Sequence, residues 1–187
     1  MIDHLSLITG NAGKAAEYAE LLEMPVTPVQ EDLLEIQSLD VEEVVRHKAH
    51  DAYLAHGAPV LVDDTALTLL AWNGLPGALI VWFLKARGVE GLLTMAAEET
   101  DRTATVTTAI GYADAHGVQV FTGNLHGALT RTPRGTNGFG YDSIFVPDGH
   151  DRTYAEMTPE EKNELSHRRL AVNALRTGLG LTTETNA

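Results

Sequence analysis

Several short stretches of this chain gather residues whose types and spacing could do chemistry. In "TGNAGK" (9–14) an alternating stretch, "HLSLIT", runs into a helix-like one, with Gly10 and Gly13 letting the backbone come close. The free N–H groups and positive dipole end of such a helix suit a phosphate, and Lys14 adds a point charge. The glycine spacing is too short for a Walker motif, so alone this stretch fits an ordinary turn with a surface lysine equally well. "VDDT" (62–65) puts two carboxylates at the end of an apolar strand, where open α/β sheets carry their ligands. Alternation sends Asp63 and Asp64 to opposite faces, so one of them faces a site. There it could bind Mg²⁺ or act as a base; an aspartate capping a turn is the structural alternative.

Glu35 lies in a loop before a helix and is a candidate metal ligand, whereas Glu42 and Glu43 read as dipole partners in that helix's first turn. Lys48 on the same helix would ordinarily be solvated. In "EEKNELSHRR" (160–169), Lys162, His167, Arg168 and Arg169 crowd together, with Ser166 placed to cap the following helix. Cations at a helix N-terminus call for an anion nearby; the plain alternative is a basic face paired with Glu160, Glu161 and Glu164. Between these pieces runs "GTNGFGYDSIFVPDG" (135–149), where Phe139, Tyr141 and Asp142 sit among glycines. They read as walls for a flat ligand or as core aromatics at a strand entry.

Elements that would position these residues can be read from periodicity. Helices are expected from Ala12 to Glu23, and over "SLDVEEVVRHKAHDAYLAHG", capped by Asp40 and stopped by Gly57. Two more are expected over "LPGALIVWFLKARG" and "VEGLLTMAAEE", and another over "SHRRLAVNALRTGLG". "MTPEEKN" carries a capping box from Thr158 to Glu161 with Pro159 between. Strands are expected at "PVTPVQ", "APVLVDD" and "SIFVP", with extended chain from "TALT" to a turn at Asn73–Gly74. "RTATVTTAIGYAD" and "VQVFTGNLHGALT" form a long hairpin joined at "AHG". The class is α/β with a mixed sheet.

Composition bounds the function. The 187 residues fit one domain, with 44% hydrophobic and 21% charged residues typical of a globular protein. A net charge of −13, from 26 acidic and 13 basic residues, argues against nucleic acid as partner. No apolar run reaches membrane-spanning length, so no membrane role is expected. The start "MIDHLSLITG" does not read as a signal peptide, and the absence of cysteine excludes disulfides and thiolate metal sites. A cytoplasmic location is the expectation.

In this order, the pieces resemble the inosine/xanthosine triphosphate pyrophosphatases, which clear non-standard purine nucleotides. The matching stretches are "TGNAGK", "EIQ", "VDDT", "GLPG" with "WFL", "GFGYDSIFVPDG", "TYAEMTPEEKN" and "SHR", spanning residues 9 to 168. "EIQ", "WFL" and "TYAEMTPEEKN" look more like the archaeal and eukaryotic branch. The resemblance implies two lobes around a long mixed sheet with the site in the cleft between them, a homodimer, Mg²⁺, and conversion of ITP, dITP or XTP to the monophosphate and pyrophosphate. By match, Thr9, Gly10, Asn11, Gly13 and Lys14 hold phosphates, and Glu35 and Asp64 bind Mg²⁺, Asp64 also serving as base. Lys48 contacts phosphate or base, and Thr65 belongs to the matched "VDDT". Phe139, Gly140, Tyr141 and Asp142 line the base pocket, and Lys162, His167 and Arg168 read the purine's 6-oxo group and support the site.

A donor aimed at a 6-oxo group leaves adenine's 6-amino group mispaired, at a cost of roughly 1–3 kcal/mol. Guanine shares the 6-oxo group, so its rejection would rest on the 2-amino group. Ala66, Leu79 and Val81 depart from the family pattern, where glycine, tyrosine and a polar residue are usual. Two other functions are therefore kept: a pyrophosphatase for other modified nucleotides, and a nucleotide-binding protein without turnover.

Overall fold

The computed structural model describes residues 2, 4–10, 12–31 and 33–181. Strand β1 (Leu5–Ile8) leads into helix α1 (Ala12–Leu22), then β2 (Val26–Val29) and α2 (Val41–His56). The long β3 (Val60–Leu69) is followed by the short β4 (Pro76–Gly77), α3 (Ile80–Met95) and the hairpin of β5 (Thr103–Asp114) and β6 (Gly117–Leu129). After the glycine-rich stretch come β7 (Phe145–Pro147), α4 (Pro159–Leu165) and α5 (His167–Gly178).

The strands form one mixed sheet in the order β2-β1-β3-β5-β6-β7, with β4 pairing to β3. β1 is parallel to both β2 and β3, while β3, β5, β6 and β7 run antiparallel in turn. The expected α/β class with a mixed sheet is what the chain forms. "VLVDDTALTL" is a single strand, so Asp63 and Asp64 sit mid-strand rather than at an end. The reason is pairing: β3 keeps register with β5 from Val60↔Ala113 to Leu69↔Ala104, and Asp63 and Asp64 face Ile110 and Ala109 within it. α3 is broken at Gly88, whose φ of 66° and ψ of −175° lie outside the helix, matching the expectation of two helical segments.

Caps fall where the sequence puts them. The Asp40 side chain accepts from the Glu42 amide, and Gly57 closes α2 in the left-handed region. Thr158 and Glu161 form the reciprocal capping box of α4. The core comprises three clusters, and β3 serves all of them. Leu67 and Leu69 pack with Ile80, Leu92 and Phe145; Leu61 packs under α1 and α5; Val60, Val62 and Ala66 pack under α2. The paired carboxylates therefore stand where the clusters meet along one strand.

Candidate active site

Each cation of the site is placed by a different element. Lys14 rises from the first turns of α1, where its ammonium donates to Asp63 Oδ1 at 2.9 Å. Lys48, from the middle of α2, donates to Glu35 Oε1 at 2.5 Å and lies 3.5 Å from the Asp63 carbonyl oxygen. Lys162, from α4, donates to Asp142 Oδ2 at 2.7 Å. Arg168, in the first turn of α5, donates from Nη1 to Glu17 Oε2 at 2.7 Å, and its Nη2 stands 3.6 Å from Asp63 Oδ2. The anions that the cation-rich helix start calls for are thus Glu17 and Asp63, rather than Glu160, Glu161 or Glu164. Glu17 carries a usable signal: it lies three residues after Lys14 on α1, on the same helix face.

α5 reaches this position because β6 presents a glycine. A β-carbon at Gly123 would stand 2.2 Å from the His167 carbonyl oxygen and 2.3 Å from the Ala171 amide. Ser166 Oγ then accepts from the Arg169 amide, and α5 buries His167, Arg168, Ala171, Val172 and Leu175 on one face. The glycine-rich loop solves a similar problem. Asp142 Oδ2 accepts from both the Phe139 amide (2.8 Å) and Lys162, directly against Gly138. At Gly138 φ is 75°, and a β-carbon would stand 2.1 Å from that same oxygen. Phe139 is left 47% exposed with the Lys162 ammonium 5.0 Å from its ring centroid.

Two cavities result, sharing Lys14. A polar one of about 190 Å³ is walled by Thr9, Gly10, Lys14, Glu35, Lys48 and Asp63. The other, of about 220 Å³, holds Asp64, Thr65, Phe139, Gly140, Tyr141 and Asp142, closed by Lys162, His167, Arg168 and the apolar Ile80, Val81 and Leu84. Every candidate except two is brought to one or the other. Gly13 is exposed and outside both walls, and Asn11 lies outside the described residues. The alternation expected of the two aspartates holds, Asp63 facing the polar cavity and Asp64 the aromatic one.

The electrostatics separate the two carboxylates further. Burial pushes Asp64 up, and although Lys48 and Lys14 pull against it, its pKa stays above the usual aspartate value. Burial acts on Asp63 too, but Lys14 and Arg168 outweigh it and hold that group below the usual value. Burial opposes the charge on Lys48, while Glu35 and Asp64 overcome it and raise its pKa. Burial and the neighbouring Arg168 and Lys162 drive His167 well below the ordinary imidazole range, so it is neutral. The site thus sets a carboxylate that holds its proton more readily than usual beside one that gives it up more readily.

Among the described residues, no group of three or more His, Cys, Asp or Glu side chains could hold a metal by itself. Mg²⁺ is ordinarily held by one or two carboxylates with phosphate oxygens and water completing the shell. Glu35 and Asp64, the two carboxylates that act most strongly on Lys48, suit that hard-oxygen requirement.

The model of the Ham1 family matches residues 5–178. This chain belongs to the Ham1 family. Among its relatives, a protein of Hyperthermus butylicus named "dITP/XTP pyrophosphatase" is 40% identical over 90% of both chains. The "Inosine triphosphate pyrophosphatase" of Schizosaccharomyces pombe is 41% identical over 94% of this chain and 95% of its own. Of solved structures, a HAM1 protein from Coxiella burnetii superposes with a TM-score of 0.84 at 31% identity, covering 97% of this chain and all (100%) of that one. The Ham1 matches take in every described element from β1 to α5, so the cleft lies inside the shared fold.

Proposed function

We propose that the protein hydrolyses the non-standard purine nucleoside triphosphates ITP, dITP and XTP to the monophosphate and pyrophosphate, cleansing the nucleotide pool. The observation that carries this reading is the pair of cavities joined at Lys14: a polar one suited to a triphosphate, and an aromatic one that holds a carboxylate of raised pKa. The names of the relatives point the same way.

In this reading the triphosphate lies along Thr9, Gly10, Lys14 and Lys48, and the two lysine charges offset its own. Asp64 orients a water and takes its proton as the water oxygen bonds to the α-phosphorus, the α–β anhydride bond breaks and pyrophosphate leaves. Glu35 and Asp64 would hold Mg²⁺, which would neutralise phosphate charge. The purine stacks on Phe139 beside Gly140, Tyr141 and Asp142, with Lys162 and Arg168 at its 6-oxo edge and His167 supporting them. Cation–ligand recognition here needs no net positive protein, because Lys14, Lys48, Lys162 and Arg168 are gathered from a chain of net charge −13.

The test is to incubate the protein with Mg²⁺ and ITP, XTP, dITP or ATP and to measure pyrophosphate. Pyrophosphate release with ITP, dITP and XTP preferred over ATP is expected; orthophosphate release, or equal use of ATP, overturns the proposal. A second reading, binding without turnover, draws on Val81, which puts an apolar side chain into the aromatic cavity. Tight ITP binding with no product would favour it. We propose that the active form is a homodimer working in the cytoplasm; light scattering at micromolar concentration checks the dimer, and a monomer there overturns it.

A further inference from the structure

The start of α3, residues 80–87, stands as a wall between two hollows. At about 3.6 residues per turn, Ile80, Val81 and Leu84 point to one side of it, and Leu79, Trp82 and Phe83 to nearly the opposite side. Ile80, Val81 and Leu84 line the aromatic cavity of the site. Leu79, Trp82 and Phe83, with Gln37, Ser38 and Leu39, line an outer groove of about 540 Å³. Open space therefore lies on both sides of the same stretch of helix.

The two halves of α3 are held very differently. Beyond the break, Gly91, Leu92 and Leu93 are buried, and Arg102 donates to the Ala96 carbonyl at the helix end and to the Leu129 and Thr130 carbonyls at the end of β6. Before the break only Ile80 is buried; Phe83 and Leu84 are half-buried, Val81 and Trp82 are 37% and 58% exposed, and Lys85, Ala86 and Arg87 face solvent. No side chain among the described residues caps this start. The halves meet at Gly88, whose φ of 66° and ψ of −175° lie in a region that is essentially glycine's alone. A residue of that kind can absorb a rotation that an unbroken helix would pass on rigidly. The aromatic cavity, at about 220 Å³, is smaller than the roughly 300–1,000 Å³ of ligand pockets. Entry of a purine therefore calls for a wall that yields, and the outer groove gives this one room to retreat. Leu84 is its leading edge on return: Cδ1 stands 3.9 Å from where a β-carbon would sit on Gly140, in the glycine-rich loop across the cavity.

We propose that the first half of α3 is an apolar gate, hinged at Gly88, which swings towards the outer groove to admit the base of a nucleotide and returns so that Val81 and Leu84 close over it. The inference rests on the nucleotide-hydrolase reading for its ligand, while the hinge is a property of α3 itself. The inner side of the gate, Ile80, Val81 and Leu84, carries no charge, so it encloses a flat base and leaves the triphosphate to Lys14 and Lys48. Closure of this kind excludes water from the cavity.

Two tryptophans make the motion visible: Trp82 rides on the gate, and Trp72 lies off it, donating to Glu99. In Asp64→Asn protein labelled with 5-fluorotryptophan, Trp72→Phe assigns the two ¹⁹F signals. ITP with Mg²⁺ should shift or broaden the Trp82 signal and leave that of Trp72 in place. Gly88→Ala, which cannot keep the break, should displace the Trp82 signal already in the free protein and abolish its response to ITP. Leu84→Ala should raise KM for ITP by about three- to tenfold, with kcat nearly unchanged. A Trp82 signal that stays in place while calorimetry shows ITP bound overturns the gate. So do equal shifts of both tryptophans, a normal Trp82 response in Gly88→Ala, or an unaltered KM in Leu84→Ala. Wild-type protein that binds ITP and moves Trp82 without turnover would instead sink the hydrolase reading and leave the gate standing, and protein that does not bind ITP sinks both.

Discussion

Asp63 and Asp64 are chemically identical and adjacent, yet their surroundings shift their pKa values in opposite directions. Asp64 keeps a raised pKa beside the aromatic cavity, while Asp63 is locked between Lys14 and Arg168. Asp64→Asn should therefore lower turnover of ITP by about a hundredfold or more while nucleotide binding stays measurable by calorimetry. Surviving turnover would move the base to another group. His167 gives a prediction about stability. Its imidazole is held neutral in the folded protein by burial, Arg168 and Lys162, whereas the unfolded chain protonates it near pH 6.5. The folded-state pKa is depressed, so the linked stability is complete above about pH 6.5 and is lost as pH falls below it. Its contribution to the slope is about 1.4 kcal/mol per pH unit until the folded pKa is reached. Urea titrations between pH 5 and 7.5 should show a shallower decline in His167→Gln than in the wild type. Equal slopes would mean that His167 takes up its proton without cost.

At the scale of elements, the site depends on how closely helices approach the sheet. Gly123→Ala should destabilise the fold by about 1–3 kcal/mol, since its methyl group meets the His167 carbonyl oxygen and Ala171 amide at 2.2–2.3 Å. The same shift moves Arg168 and His167 in the cleft, so KM for ITP should rise along with the fall in melting temperature. An unshifted melting temperature and KM would show that α5 can retreat freely. Such contacts mark the limit of what the sequence makes legible. Periodicity and capping residues are local, so the helix limits at Asp40 and Gly57 and the box at Thr158 could be read directly. The grouping of Lys14, Asp64, Tyr141 and Lys162 was legible as motifs in order. Their partners were not: Glu17 meets Arg168 across 151 positions, and Asp63 meets Lys14 across 49. Pairing of that kind is set by the packing of α1 and α5 on the sheet. The mid-strand place of Asp63 and Asp64 was hidden for a related reason, because a polar pair inside a strand resembles a strand end until β5 is seen alongside.

The whole molecule hangs on two strands. β3 and β5 stay in register from Val60↔Ala113 to Leu69↔Ala104, and each contributes buried residues to all three core clusters. β5 gives Ala104 and Val106 to one cluster, Ile110 and Tyr112 to the second, and Ala109 and Ala113 to the third. A cleft would ordinarily suggest two units able to unfold separately, each keeping its own core. Here, melting the cluster around Leu67, Leu69 and Phe145 would strip the far half of β3 and β5 of its packing while the near half stayed paired. The buried Asp63 and Arg168, with the part-buried Lys14, would then be opened to water on one side, losing the pairing that makes their burial tolerable. We therefore expect one cooperative transition on heating, with the calorimetric enthalpy equal to the van't Hoff enthalpy. A nucleotide bound as proposed should move that single transition upward as a whole, because the residues proposed to hold it are carried by α1, α2, β3, α4 and α5 together. Two resolved transitions, with only one responding to nucleotide, would show that the core clusters melt independently and that the shared strands do not couple them.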